Sequence, residues 1–302
     1  MKSNKADGIL LSGGLDTSII ATVASEFMSL KAITIAFQHA PAPDIEYAII
    51  MAKRLNLEHY IHYFSENELY DALPNVIKVM KSFDPMEIRN SVVIDIGLRI
   101  SKERGIKTIL TGDGADELFA GYSYLFAFED EELANELKKL WTVMQFSSIP
   151  LAKTYKMQAK LPFLSPPFKE FAMNLNPLYK IQTRNAQKVG KWILRKTYET
   201  KLPKEVVWRK KTPIETGSGT TTLPNFFNHR ISDKEFNEKK NLIKNEDRVT
   251  IRNKEHLFYY EIFKQIFGIP HGIDSNNKNC PHCNSNVLEK SKFCRTCGAY
   301  PI

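Results

Sequence analysis

The sequence predicts an α/β fold: a doubly wound parallel sheet that gives way to a helical half and ends in a small stapled module. Three observations predict it. Short apolar runs alternate with helical patterns up to about residue 125, strand signals fade beyond Phe126, and all four cysteines fall in the last 23 of 302 residues. Strands separated by helices of this length need right-handed crossovers, and those build a parallel sheet.

The elements follow in order. "GILL" reads as a short buried strand, Ser12-Gly13-Gly14 breaks it, and a helix follows from about Thr17. "KAITIAF" then "DIEYAIIMAKRLN", and "HYIHYF" then "ENELYDALPNVIKVMKSF", repeat the pattern. A further helix, "EIRNSVVIDIGLRISKERG", leads into the strand "KTIL". Ligands of such sheets bind at the carboxyl ends of strands, so the loops after "GILL" and "KTIL" are the places to look. Later helices are "EDEELANELKKLW", "KWILRKTYETK" and "KEHLFYYEIFKQIFG". Between them "TPIETGSGTTT", residues 212–222, has no periodicity and reads as a mobile lid or a passive surface loop. "HGIDSNNKN" reads as a linker. The expected organisation is therefore a core at 1–125, a helical part at 126–270, and a linker with a separate module at 271–302.

Composition narrows the class. A 43% hydrophobic content suits a globular core, and 42 Lys+Arg against 34 Asp+Glu give a formal charge of +8. That balance favours anionic partners, nucleotides and RNA alike. No apolar run is long enough to span a bilayer, and "MKSNKADGILL" enters the first strand without a signal-peptide core, so a cytoplasmic location without membrane contact is expected. With no cysteine in the first 279 residues, the main body holds neither disulfides nor a thiol nucleophile.

The first chemical motif is "LSGGLDTS", residues 11–18. A strand, a tight glycine turn and a helix N-terminus make an anion site, because free N–H groups and the positive end of the helix dipole converge. Phosphate is the natural guest, although the loop lacks the lysine of the G-x-x-x-x-G-K-[ST] form. An ordinary turn between a strand and a helix is the plain alternative. The second motif, "TGDGADELFAGYSYL" at residues 111–125, places Asp113, Asp116 and Glu117 at the end of the strand "KTIL". Carboxylates opposite a phosphate loop suit Mg²⁺, with Asp16 and Asp116 as candidate ligands; the alternative is that they cap the following helix.

Together "LLSGGLDTS" and "LTGDGADELFAGY" resemble the synthetase domain of asparagine synthetases and their β-lactam-forming relatives, within the ATP pyrophosphatases. Similarity continues through "AKLPFLSPPFKEFAMNLNP", "KVGKWILRKTYETKLPKEVVWRKK" and "NKEHLFYYEIFKQIFG", covering about residues 8–270. The resemblance implies an adenine nucleotide alpha hydrolase-like fold. It also implies that ATP activates a carboxylate as an acyl-adenylate, releasing pyrophosphate, and that ammonia or an amine then displaces AMP. Carried over by position, Leu11, Ser12, Gly13, Gly14, Asp16, Thr17 and Ser18 would bind ATP and Mg²⁺, Thr111 and Gly112 would line the AMP site, and Asp116 would complete the metal. Lys188, Lys191 and Lys211 would neutralise phosphate and transition-state charge, with Lys191, Lys211 and Asp113 nearest the chemistry. For Lys188 a solvated surface position is an equal reading.

Three departures from the family pattern matter. The glutamine-hydrolysing members carry a domain that begins at a nucleophilic cysteine; here the chain opens with "MKSNK", so ammonia is expected from solution or from a separate protein. "SGEGSDE" appears as "TGDGADE", which puts Asp113 where a Glu stands and shortens its reach toward a nucleophile. The Glu and Asp of "EARVPFLD" are Gln158 and Ser165, and an amide cannot act as a base.

The cysteines form two C-x2-C pairs ten residues apart, Cys280 with Cys283 and Cys294 with Cys297. Two such knuckles offer four thiolates to one Zn²⁺ in a small ribbon, with two disulfides as the competing reading and His282 a bystander. A module this short cannot fold without metal, so the zinc is structural, and its removal is expected to leave the main body folded. Residues 271–302 hold Lys278, Lys290, Lys292 and Arg295 against Asp274 and Glu289, a slight positive balance that leaves RNA and protein partners open.

Two functional readings result. One is a ligase that joins ammonia or an amine to a small carboxylate such as aspartate. The other is an enzyme that adenylates tRNA or a carrier protein recruited through the ribbon. A binding protein without turnover is the third, opposed by the intact Asp16 and Asp116.

Overall fold

The computed structural model describes residues 5–272, 278–289 and 291–302. The opening tetrapeptide, residues 273–277 of the expected linker with Asp274, and Lys290 fall outside them. By its internal contacts the chain divides into two compact units: Met1–Ile35, Pro43–His62 and Gly97–Pro213 make the first, and Ala36–Ala42, Tyr63–Ile96 and Ile214–Ile302 the second. This division does not follow the boundaries read at residues 125 and 270, because long-range packing groups segments that no local pattern links.

The alternation read from the sequence is present. In chain order come β1 (Gly8–Leu10), α1 (Leu15–Ser25), β2 (Lys31–Phe37), α2 (Asp44–Arg54), β3 (Glu58–Phe64), α3 (Glu66–Met80), α4 (Pro85–Glu103) and β4 (Thr108–Leu110). Then follow α5 (Ala115–Leu118), α6 (Asp130–Val143), α7 (Ser148–Thr154), β5 (Gln158–Lys160) and α8 (Pro166–Asn174). The hairpin β6 (Gln182–Arg184) and β7 (Gln187–Val189) precedes α9 (Trp192–Tyr198) and α10 (Lys204–Val207).

The five-stranded sheet has the order β3-β2-β1-β4-β5. β1 pairs in parallel with β2 and with β4, and β4 pairs in parallel with β5. The order therefore reverses between β1 and β4, which opens a crevice at their carboxyl ends. β5 departs from the expectation that strands end near Phe126. Its residues Gln-Ala-Lys carry no apolar run, and pairing with β4 at the sheet edge, not local propensity, makes them a strand.

The core of the first unit places Ile9, Leu11, Ile20, Ala32, Met51 and Leu110 at 1% exposure or less around β1 and α1. Burying each of the larger of these side chains contributes about 1.5–3 kcal/mol. The loop between β1 and α1 is thus anchored at both ends.

The second unit contains α11 (Ile214–Gly217), α12 (Leu223–Arg230), α13 (Asp233–Glu246), α14 (Lys254–Phe267) and the short strands β8 (Lys278–Asn279) and β9 (Asn286–Val287). Aromatic rings join α3, α12 and α14: Tyr70 and Phe227 lie 5.6 and 4.9 Å from Phe258. The lid or passive loop expected within residues 212–222 is a packed turn over Ile214–Thr222. Ser218 and Thr220 are buried, the Phe37 N–H donates to the Ser218 carbonyl at 2.8 Å, and Gly219, at φ +87°, leaves no room for a Cβ against Ala40. The small residues there permit close approach. Among the described residues no helix is long and apolar enough to cross a membrane.

Candidate active site

The first loop is shaped by one obligatory glycine. Gly13 has φ +66°, and a Cβ there would lie 2.2 Å from the Ala48 backbone nitrogen and 2.5 Å from Tyr47 Cβ. Gly14 is the N-cap of α1 in an extended conformation, with no side-chain capping bond. The N-terminal N–H groups of α1 are therefore not covered by a cap, as an anion site requires. Ser12 Oγ lies 3.1 Å from Thr17 Oγ1 and accepts from the Gly14 N–H at 3.2 Å, which closes the turn on itself. Thr34 donates to the Leu11 carbonyl at 2.6 Å from the neighbouring strand.

The second loop lies against the first. A Cβ on Gly112 would meet Thr17 Cγ2 at 3.0 Å and Asp16 Cβ at 3.3 Å. Lys191, buried and with φ +55° at the N-cap of α9, then joins the two: its Nζ is 2.6 Å from Asp16 Oδ2 and 2.7 Å from Asp116 Oδ1. Lys211 Nζ lies 3.6 Å from Asp116 Oδ2 and 5.2 Å from the centre of the Tyr122 ring. Burial works against the Asp116 carboxylate, but the two ammonium groups outweigh it and hold it below its ordinary value. The Asp16 carboxyl is raised, chiefly by burial, against the opposing pull of Lys191. Burial likewise disfavours the Lys191 ammonium, and the paired carboxylates keep it charged.

Asp16 Oδ1 and Ser18 Oγ are buried with no hydrogen-bond partner among the described residues. Unpartnered buried polar atoms are uncommon, and these two sit in the first turn of α1 beside the glycine-rich loop. A hard cation with its oxygen ligands fits this donor set.

The structure brings together Ser12, Gly13, Gly14, Asp16, Thr17, Gly112, Asp116, Lys191 and Lys211. It does not bring Lys188 to them. That residue lies half-exposed on β7, where its ammonium binds the Phe126 carbonyl at 2.9 Å and Glu129 at 2.8 Å. Asp113 Oδ2 accepts from Thr111 Oγ1 at 2.8 Å and from Ser148 Oγ at 2.5 Å. Burial pushes the Asp113 carboxyl up, and the two hydroxyl donors partly offset this. Gln158 opens β5 opposite Thr108, exposed to solvent, and Ser165 precedes α8 with its hydroxyl on the Pro162 carbonyl.

Several supporting residues carried no sequence signal of their own. Arg195 is buried and donates to the carbonyls of Gly190 at 3.0 Å, Arg209 at 3.1 Å and Val207, so one guanidinium ties the turn before Lys191 to the segment after α10 that leads to Lys211. Arg209 stacks on Tyr47 and pairs with Asp44 at 2.6 Å, bracing the helix that roofs Gly13. Ser148 enters from α7. A Cβ on Gly121 would lie 1.8 Å from Asp116 Oδ1 and 2.4 Å from Lys191 Cε. Gly121→Ala is accordingly expected to cost about 1–3 kcal/mol through overpacking and to displace the carboxylate–lysine pair. An unchanged urea midpoint for that variant would show that these neighbours yield freely.

The second cluster lies in the second unit. Cys280, Cys283, Cys294 and Cys297 are all buried, and their sulfur atoms lie within 4.8 Å of one another. Cys280 and Cys297 are 3.8 Å apart, Cys283 and Cys294 3.7 Å. Four thiols converging in this way can hold one metal ion.

Known proteins resemble this chain. The sequence model of one family, described as asparagine synthase, matches residues 1–153 and 150–281. A probable glutamine-hydrolysing asparagine synthetase of Dictyostelium discoideum is 29% identical over 88% of this chain and 53% of that protein. Asparagine synthetase B of Escherichia coli K12, also named as glutamine-hydrolysing, is 30% identical over 87% of this chain and 50% of its own length. The chain thus spans about half the length of the curated relatives it matches. A solved NMN synthetase from Francisella tularensis aligns over 87% of this chain and 84% of its own, at 12% identity and a TM-score of 0.39.

Proposed function

This chain belongs to the asparagine synthase family, and from that premise we propose that it is an AMP-forming carbon–nitrogen ligase. It activates a carboxylate, aspartate or a related acid, as an acyl-adenylate with release of pyrophosphate, for attack by ammonia or an amine. The observation that carries the reading is the convergence of Asp16, Asp116 and Lys191 beside an uncapped glycine loop at the point where the strand order reverses.

In the first half-reaction the substrate carboxylate oxygen attacks the α-phosphorus of ATP, and the bond to the β-phosphate oxygen breaks. The N–H groups of Gly13, Leu15 and Asp16 would receive the leaving pyrophosphate, and Lys191 and Lys211 would spread its charge. Asp16 and Asp116 would hold Mg²⁺, which when bound supplies charge neutralisation on phosphate oxygens. In the second half-reaction nitrogen attacks the acyl carbon, AMP departs, and the surplus nitrogen proton must find an acceptor. Asp113, fixed by Thr111 and Ser148, is the carboxylate suited to take it, its affinity for a proton already raised by burial. Gln158 cannot share that role.

The cysteine cluster would bind Zn²⁺. Four sulfurs at about 2.3 Å from a tetrahedral ion stand about 3.8 Å from each other, and two pairs here are at 3.7 and 3.8 Å. That spacing supports one shared ion over two disulfides. The nitrogen source is free ammonia, a small amine, or ammonia handed over by a separate protein. The cytoplasm, where ATP and reduced thiols coexist, is the fitting compartment.

The test is release of AMP and pyrophosphate from ATP and Mg²⁺, with aspartate plus ammonium run beside bulk tRNA. Equimolar AMP and pyrophosphate that depend on aspartate and ammonium are expected. Dependence on tRNA alone would transfer the acceptor to a macromolecule, and release of ADP and phosphate would overturn the adenylating chemistry.

A further inference from the structure

We infer that the metal-closed ribbon is a clamp turned inward on its own unit: zinc binding holds the corner between α3 and α4 to the segment that starts α14. This rests on the zinc assignment above and is independent of the ligase reading.

Both knuckles present their backbone carbonyls to these two segments. In the second knuckle, Arg295 and Thr296 accept from Ser82 Oγ at 2.8 Å and from the Phe83 N–H at 2.7 Å. The Cys297 carbonyl accepts from Arg252 Nη2 at 2.7 Å. In the first knuckle the His282 carbonyl accepts from the Thr250 N–H at 2.8 Å. Gly298 sits so close to Asp84 that a Cβ there would lie 2.0 Å from Asp84 Oδ1. Segments near residues 83 and 251, far apart in sequence, are thereby tied to a single four-sulfur cluster.

The same two segments meet beneath the ribbon. Phe83 is fully buried, stacks on His256 at 5.1 Å, and meets the rings of Tyr260 and Phe263 edge-on at 5.1 and 5.0 Å. Val249 and Ile251 are buried, and Asn253 caps α14 by accepting from the His256 N–H at 2.8 Å. The ribbon itself has two strands of two residues each and, among its described residues, buries only Val287 and Ala299 as apolar side chains besides the cysteines, so the thiolate–metal bonds must hold its shape. Losing the metal removes four acceptors at once from donors at residues 82, 83, 250 and 252. The knuckles of the expected separate module are bonded to their own unit.

The experiment uses the full chain. Zinc per chain is measured by elemental analysis, and amide hydrogen exchange is followed before and after chelation and after adding back zinc ion alone. The expected result is about one zinc per chain, with protection lost on chelation at residues 80–86 and 249–257 as well as 278–302, and regained with zinc. Loss confined to 278–302, or a chain that binds no zinc, overturns the clamp. A double variant, Ser82→Ala with Arg252→Ala, should keep its zinc while chelation alters exchange at 80–86 less than in the wild type, since only the Phe83 N–H bond to the Thr296 carbonyl remains there. Unchanged coupling in that variant also overturns it.

Discussion

Replacing Lys191 with methionine is expected to destabilise the first unit by about 3–5 kcal/mol and to abolish pyrophosphate release. The cost arises because the ammonium is buried between two carboxylates at 2.6 and 2.7 Å, and removing one partner of a buried pair leaves uncompensated charge. Methionine preserves the length of the stem, so the loss is electrostatic rather than a cavity. The two carboxyls would respond by holding protons to higher pH, since the larger of the two attractions that keep Asp116 ionised is gone and only that of Lys211 remains. Magnesium ion should restore part of the melting temperature without restoring turnover, because a divalent cation can compensate the carboxylates but cannot reach the transition state as the lysine does. Thermal melting with and without MgCl₂, beside a pyrophosphate assay, checks this. A variant as stable as the wild type, or one that turns over, would remove Lys191 from the centre of the site.

Asp116→Ala and Asp16→Ala should each lower pyrophosphate release by at least about a thousandfold, equivalent to roughly 4 kcal/mol of transition-state stabilisation. Stability should respond differently at the two positions. Asp116 is held by two ammonium groups and Asp16 by one, and Asp16 Oδ1 has no hydrogen-bond partner among the described residues. Removing Asp16 therefore relieves a burial penalty while removing Asp116 strands two lysines, so Asp116→Ala should melt lower than Asp16→Ala. Calorimetry of the pair, with magnesium binding measured on each, separates the roles. Retained turnover in both variants would overturn the metal assignment.

Much of the site was legible because its chemistry is compressed into two short loops. "LSGGLDTS" and "TGDGADE" each join a strand to a helix within a few residues, so local spacing already names Ser12, Asp16, Asp113 and Asp116. Lys188 shows the limit of that method. It lies three residues before Lys191, yet β7 points one lysine toward Glu129 and the left-handed turn at α9 buries the other between carboxylates. Ser148 was illegible for a related reason: its partner Asp113 lies 35 residues earlier in the chain, and only contact reveals it.

By itself the sequence determined the alternation of strands and helices, the glycine-rich and carboxylate-bearing loops, and the four-thiol set, because these depend on period, turn residues and short spacing. The tertiary structure alone decided that Lys191 rather than Lys188 bridges the carboxylates, that "QAK" becomes the edge strand β5, that Ser218 and Thr220 of "TPIETGSGTTT" are buried, and that the cysteine knuckles bond to their own unit. Those outcomes turn on burial and on hydrogen bonds between residues far apart in the chain, whose energies no local pattern of residue types encodes.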